Sequence, residues 1–167
     1  KANNVHTCID SSGIAYKKNA NPEWLAKLDK LMTLTDLVML DIKHIDPEKH
    51  KELTSQPNDG ILAFAEYLNE KHVDMWIRHV IVPGLTDDDK YLYQLGYFIG
   101  AFTNLKALDA LPYHTMGESK YEKLGMKYKL AGVPQMDKSK LVEKKKVILD
   151  GIRKRREELG IQNHHAE

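Results

Sequence analysis

Apolar residues along the chain alternate between two rhythms, and the alternation repeats four times. The first short apolar stretch, "VHTCIDSSG" from Val5 to Gly13, reads as a strand ending at Asp10. In "NPEWLAKLDKLM", Asn21 can cap a helix, Pro22 suits its first position and Glu23 its first turn; Trp24, Leu28 and Leu31 then fall on one face. "TDLVMLDIKHID" follows as a second strand, Asp36 to Lys43, and the cap-Pro-Glu signal returns at Asp46, Pro47 and Glu48 for a short helix. Ile61, Leu62, Ala65 and Leu68 stripe a longer helix. "VDMWIRHVIVPG" is a third strand, Val73 to Gly84, closed by Pro-Gly. Thr86 is expected to cap the next helix, striped by Tyr91, Leu95, Phe98 and Phe102. Leu105 to about Leu111 is the fourth strand, "ESKYEKLG" a short helix, and about Asp137 to Leu159 a long one with Leu141, Ile148, Ile152 and Leu159 on its buried side.

Taking Asp10, Asp41, Val80 and Leu111 as strand ends gives spacings of 31, 39 and 31 residues. That rhythm predicts successive βαβ units, a parallel sheet and an α/β fold. A barrel or partial barrel fits the even spacing, with a doubly wound sheet as the alternative. In both, ligands gather at the C-terminal ends of the strands. The expected division is 1–134 for the βα units and 135–167 for a C-terminal helix and polar tail.

Those strand ends carry the chemistry. Asp41 and Lys43 close the second strand and, two residues apart, point to one face. Arg78 interrupts the third and shares a face with Val80, Asp10 ends the first, and His114 follows the fourth. Two readings stay open from the residues alone: a structural ion-pair network of Asp10 and Asp41 with Lys43 and Arg78, or a polar ligand site. "DSSG" is either a turn or a phosphate or cation contact.

Composition narrows the classes. The 167 residues are 42% hydrophobic and 29% charged, as expected of a globular domain. Net charge is +1, which gives no argument for nucleic acid. The mixed charges of Lys144 to Glu158 read as a solvated helix face. No apolar run reaches transmembrane length, and no basic-then-apolar signal segment opens the chain. Cys8 is the single cysteine, so a disulfide framework is excluded; inside a strand it is expected to be a core thiol. Cytoplasmic location is the corresponding expectation.

Four segments, "HTCIDSSG", "TDLVMLDIKHIDPEKHKELT", "WIRHVIVPGLTDDD" and "LPYHTMGESKYEKLG", resemble in order and spacing those of pyruvate formate-lyase activating enzymes, which are radical S-adenosylmethionine (SAM) proteins. The resemblance runs from about Val5 to Val133. It implies a partial parallel β/α barrel of about four βα units plus a C-terminal helix. It also implies reductive cleavage of SAM by a [4Fe-4S] cluster, and hydrogen abstraction from a glycine of pyruvate formate-lyase by the resulting 5′-deoxyadenosyl radical. A flavodoxin-type reductant is the implied electron source. Carried over residue by residue, the family pattern places Asp41, Ile42 and Lys43 on SAM, with Arg78 and Val80 lining the pocket and His114 and Met116 near ribose and adenine. Asp10, Ser11, Met39 and Asp41 match positions for a monovalent cation. The family's CxxxCxxC loop and GGE segment are absent, so the resemblance implies the C-terminal two-thirds of such an enzyme, unable to hold the cluster with one cysteine. Ser11-Ser12 also departs from the family's usual Thr followed by Asn or Cys. Two rival expectations are a β/α-barrel lyase or aldolase with a Schiff-base Lys43, and a cluster-free module docking on a lyase-like partner. An open edge along the first strand predicts self-association, or cover by other chain.

Overall fold

Four short strands pair in parallel and in chain order, β1 (Cys8–Ser11), β2 (Leu37–Asp41), β3 (Asp74–Ile81) and β4 (Leu105–Pro112), in a computed structural model that describes residues 3–162. Between them run α1 (Pro22–Met32), α2 (Pro47–Thr54), α3 (Asp59–Glu70) and α4 (Asp89–Ile99). A 3₁₀ turn (Thr115–Gly117), α5 (Glu118–Lys123) and α6 (Lys138–Leu159) follow β4. This is the expected α/β arrangement, a partial parallel β/α barrel. His164 and His165, read as part of a polar tail, lie outside the described residues.

Helix starts follow local chemistry. Asn21 Oδ1 accepts the Trp24 N–H at 2.7 Å and Asp46 Oδ1 the Lys49 N–H at 2.9 Å, each with proline next in the chain. Thr86 does not cap α4 as expected; Asp88 does, accepting from the Lys90 N–H. The buried Thr86 hydroxyl instead accepts the Val82 N–H and donates to the Val80 carbonyl, both at 2.8 Å, closing the Pro83-Gly84 turn.

The main core lies between one face of the sheet and helices α1, α3, α4 and α6. Val38, Leu40, Met75 and Ile77 supply the sheet side and are fully buried. Trp24 and Leu28 pack there from α1, but Leu31 is exposed and Met32 is buried in its stead. In α6, Ile148 and Ile152 join this core, Leu141 packs on a smaller cluster at the strand C-termini, and Leu159 is exposed, against expectation. Helices α4 and α6 touch backbone to backbone: a Cβ at Gly96 would overlap the Ile148 carbonyl, and one at Gly151 the Tyr93 carbonyl. Because α6 lies on α4, it does not cover the β1 edge.

The sheet's other face is open, and its strands therefore alternate rather than run continuously apolar. Cys8 sits on this face and is exposed, not a core thiol, because no helix covers it.

Candidate functional site

Register decides which predicted residues can meet. Partners in a parallel ladder point to the same side of the sheet. Asp10 pairs with Met39, Met39 with Trp76, Asp41 with Arg78, and Val80 with Leu111, and all these lie on the open inner face. Ser11 pairs with Leu40, whose side chain is in the core, so Ser11 stands on the opposite face from Asp10, Met39 and Asp41. Its hydroxyl accepts the Gly13 N–H at 2.9 Å, which is the turn reading of "DSSG".

On the inner face the charges interlock. Lys43 Nζ donates to Asp41 Oδ2 at 2.9 Å and Arg78 Nε to Asp41 Oδ1 at 3.0 Å, while Arg78 Nη2 donates to Asp10. Burial opposes ionisation of Asp41, but the hydrogen bonds and charges of Lys43 and Arg78 outweigh it and hold the carboxyl below the usual range. Asp41 in turn raises Arg78 further, with Asp10 adding to it against partial burial. Two carboxylates face two cations, so the group is balanced in charge and lies on the open face.

Beside it lies a cavity of about 660 Å³ whose wall includes Lys43, Val80 and His114. Most of the remaining lining is apolar, from Leu53, Val82, Leu111 and Leu130, with Tyr113 and Tyr128 also in the wall. The hydroxyls of Tyr113 and Tyr128 lie 3.0 Å apart. Burial, then the bond to Tyr113, pushes Tyr128 up to about 12. That bond ties Tyr128 to the residue that follows β4. Tyr128 and Leu130 were not found from the sequence, because 124–136 is irregular chain with no period to read; Tyr113 lies in "LPYH", where only His114 was singled out. A cavity of about 910 Å³ adjoins the first across Leu53 and Leu130, between α2, the Gly84–Asp88 turn and residues 127–130, and touches none of the predicted residues.

Ile42 and Met116, like Ser11, stay outside. Ile42 points its side chain into the core, and its N–H donates to the Arg78 carbonyl at 3.1 Å while its carbonyl accepts from His79, so no side-chain contact with an inner-face ligand is open to it. Met116 is 75% exposed and does not line the cavity. Among the described residues no group of three or more His, Cys, Asp or Glu is arranged to hold a metal ion.

A parallel β/α sheet with its charges gathered at the strand C-termini agrees with what sequence comparison finds. The sequence model of the Radical SAM superfamily matches residues 1–95, and the chain belongs to that family. Its relatives include the pyruvate formate-lyase-activating enzyme of Listeria monocytogenes serovar 1/2a, 49% identical over 133 residues, which are 80% of this chain and 53% of that protein. The enzyme of the same name from Staphylococcus epidermidis is 47% identical over 137 residues, 82% of this chain and 54% of that protein. That from Streptococcus mutans serotype c is 46% identical, covering 80% and 50%. The chain thus spans about half the length of the curated relatives it matches. A crystal structure of a domain of pyruvate-formate lyase-activating enzyme from Bacteroides vulgatus superposes with a TM-score of 0.66 at 18% identity, covering 90% of this chain and 79% of that one; it shows the shared fold.

Proposed function

We propose that this chain carries the SAM-binding strand ends of an activating enzyme that generates a glycyl radical on pyruvate formate-lyase. The observation that carries the reading is the juxtaposition of the Asp10–Arg78–Asp41–Lys43 network with a largely apolar cavity through the shared Lys43. SAM has one charged end, an amino-acid carboxylate and ammonium, and one flat apolar end, the adenine, joined by a ribose diol. Lys43 and Arg78 meet the carboxylate. Asp41 meets the ammonium, directly or by ordering the two cations. Val80 and Leu111 cover the ring, and His114 reaches the ribose or adenine edge. A monovalent cation beside the SAM carboxylate would be held by Asp10 and Asp41 with Met39 nearby; Ser11 would contribute through its backbone carbonyl rather than its hydroxyl.

When bound with a reduced cluster, SAM supplies a carbon-centred radical; these residues bind and orient it. The [4Fe-4S] cluster does not fit the residues present, since Cys8 alone cannot replace three thiolates. Its ligands would have to come from other chain. The names of the relatives support pyruvate formate-lyase as the partner; a flavodoxin-type reductant and a cytoplasmic setting belong to the same proposal. Among the described residues no helix is long and apolar enough to cross a membrane. Lys43 donates to Asp41 as an ammonium, so the Schiff-base reading gains no support.

The test is electron paramagnetic resonance of pyruvate formate-lyase mixed with the full-length gene product, SAM and a reductant. A glycine-centred radical that requires all three is the expected result. Its absence with an intact cluster and bound SAM overturns the assignment of the partner.

A further inference from the structure

The stretch that carries Lys43 is held from behind by buried polar side chains that the charges on the open face do not require. His79 lies on the helix-facing side of β3 between Ile77 and Ile81 and is 3% exposed. Its Nδ1 is 2.7 Å from the Ile42 carbonyl. A carbonyl only accepts, so Nδ1 carries the proton; Nε2 is buried without a hydrogen bond of normal geometry, the Thr86 backbone being the other polar group that acts on the ring. Burial keeps the ring neutral by pushing its pKa down. Asn58, 2% exposed, does not cap α3 with its side chain; its Nδ2 instead donates to the His44 carbonyl at 3.1 Å and the Ile45 carbonyl at 2.9 Å. His44 Nδ1 accepts the Asp46 N–H at 3.0 Å.

These bonds bracket one residue. Ile42 is fixed through its N–H and its carbonyl, and His44 through its carbonyl, so the backbone on both sides of Lys43 is held while its side chain reaches the inner face. A lysine has four rotatable bonds and no fixed fork, so its ammonium is placed jointly by the Asp41 carboxylate and by the backbone from which the side chain starts. An aliphatic residue like Ile77 or Ile81 would fill the site of His79 without burying a nitrogen that lacks a well-formed hydrogen bond. We propose that His79 and Asn58 are positioning residues for Lys43. They act from the opposite face of the sheet to hold its ammonium where the SAM carboxylate is bound. The inference rests on the functional reading above for the identity of the ligand, but not for the wiring.

The test is a double-mutant cycle on the full-length gene product, with SAM affinity read by calorimetric titration. His79→Leu is expected to weaken binding about tenfold, and to cost nothing further in a Lys43→Ala background, because its effect passes through Lys43. His79→Asn, whose amide can donate to the Ile42 carbonyl, is expected to recover most of the loss. Equal losses in both backgrounds, or no rescue by Asn, overturn the proposal, since a merely structural role weakens both alike. If His79→Leu does not fold, Asn58→Ala is read in the same cycle against the same criterion. If the unmodified protein shows no saturable SAM binding, the functional reading fails, and the positioning role is then judged on amide hydrogen exchange. His79→Leu should speed exchange at residues 42–46 selectively and His79→Asn should not; unchanged exchange there overturns it.

Discussion

The two faces of the four-stranded sheet are built from the same strands and obey different rules. On the helix side Val38, Leu40, Met75 and Ile77 are wholly buried and chemically uniform. On the inner side the neighbouring positions are Asp10, Met39, Asp41, Trp76 and Arg78, partly or largely exposed and chemically mixed. Residues one step apart on a strand therefore answer to different demands, stability on one side and ligand chemistry on the other. His79 is the exception that links them, a polar group on the stability face whose hydrogen bond lands between two residues of the ligand face.

The sharpest way to break this comparison is to truncate one position on each side. Ile77→Ala should destabilise by about 2–5 kcal/mol through a cavity in the core, whereas Trp76→Ala next to it should move the melting temperature far less. Equal melts would mean the inner face also carries packing. The next largest effect is expected at the α4–α6 contact. Gly151→Ala must push the helices apart against the Tyr93 carbonyl, at a cost of about 1–3 kcal/mol of overpacking, read from denaturant midpoints. Gly84→Ala meets no neighbouring atom, but its positive φ of 75° gives a separate, backbone-only strain for comparison.

Smaller still is the effect of Asp41→Asn on stability. Its pairs are partly solvated, so the loss should be about 1–2 kcal/mol, below that of a fully buried pair. It should also depend on pH. The carboxyl is held below its ordinary value of 3.8, so its contribution is fully present above about pH 4 and disappears as pH falls through the lower folded value. Asp41→Asn should therefore flatten the acid limb of the stability curve and leave the neutral limb parallel. The smallest effect belongs to Cys8. The native thiol should react promptly with a water-soluble reagent, and Cys8→Ser should change the melt by no more than about 0.5 kcal/mol.

Strand order, the helix caps at Asn21 and Asp46 and the charged strand ends were legible because each rests on local chemistry or on period. Side of the sheet was less so. Ser11 and Ile42 were grouped with Asp10 and Asp41 through family resemblance, while a count of two along each strand, anchored on buried Leu40, separates them. Cys8 and Leu159 were misplaced for one reason: an apolar residue in a periodic element says nothing of whether anything covers it. Thr86 was misread because a hydroxyl ahead of a helix can close the preceding turn as readily as cap the helix. The pairing of Tyr113 with Tyr128, and the meeting of Gly96 with Ile148, depend on contacts between distant segments that no local pattern announces.

The central claim is that the inner-face charges beside the cavity bind SAM. Calorimetric titration of SAM into the full-length gene product and its Lys43→Ala variant, with melts recorded on both, tests it most directly. The account predicts saturable one-to-one binding that is lost or weakened at least tenfold in the variant while the melting temperature stays within a few degrees. Undiminished binding by Lys43→Ala would contradict it, and so would a variant whose only defect is a collapsed melt, which would make the network a structural ion pair and nothing more.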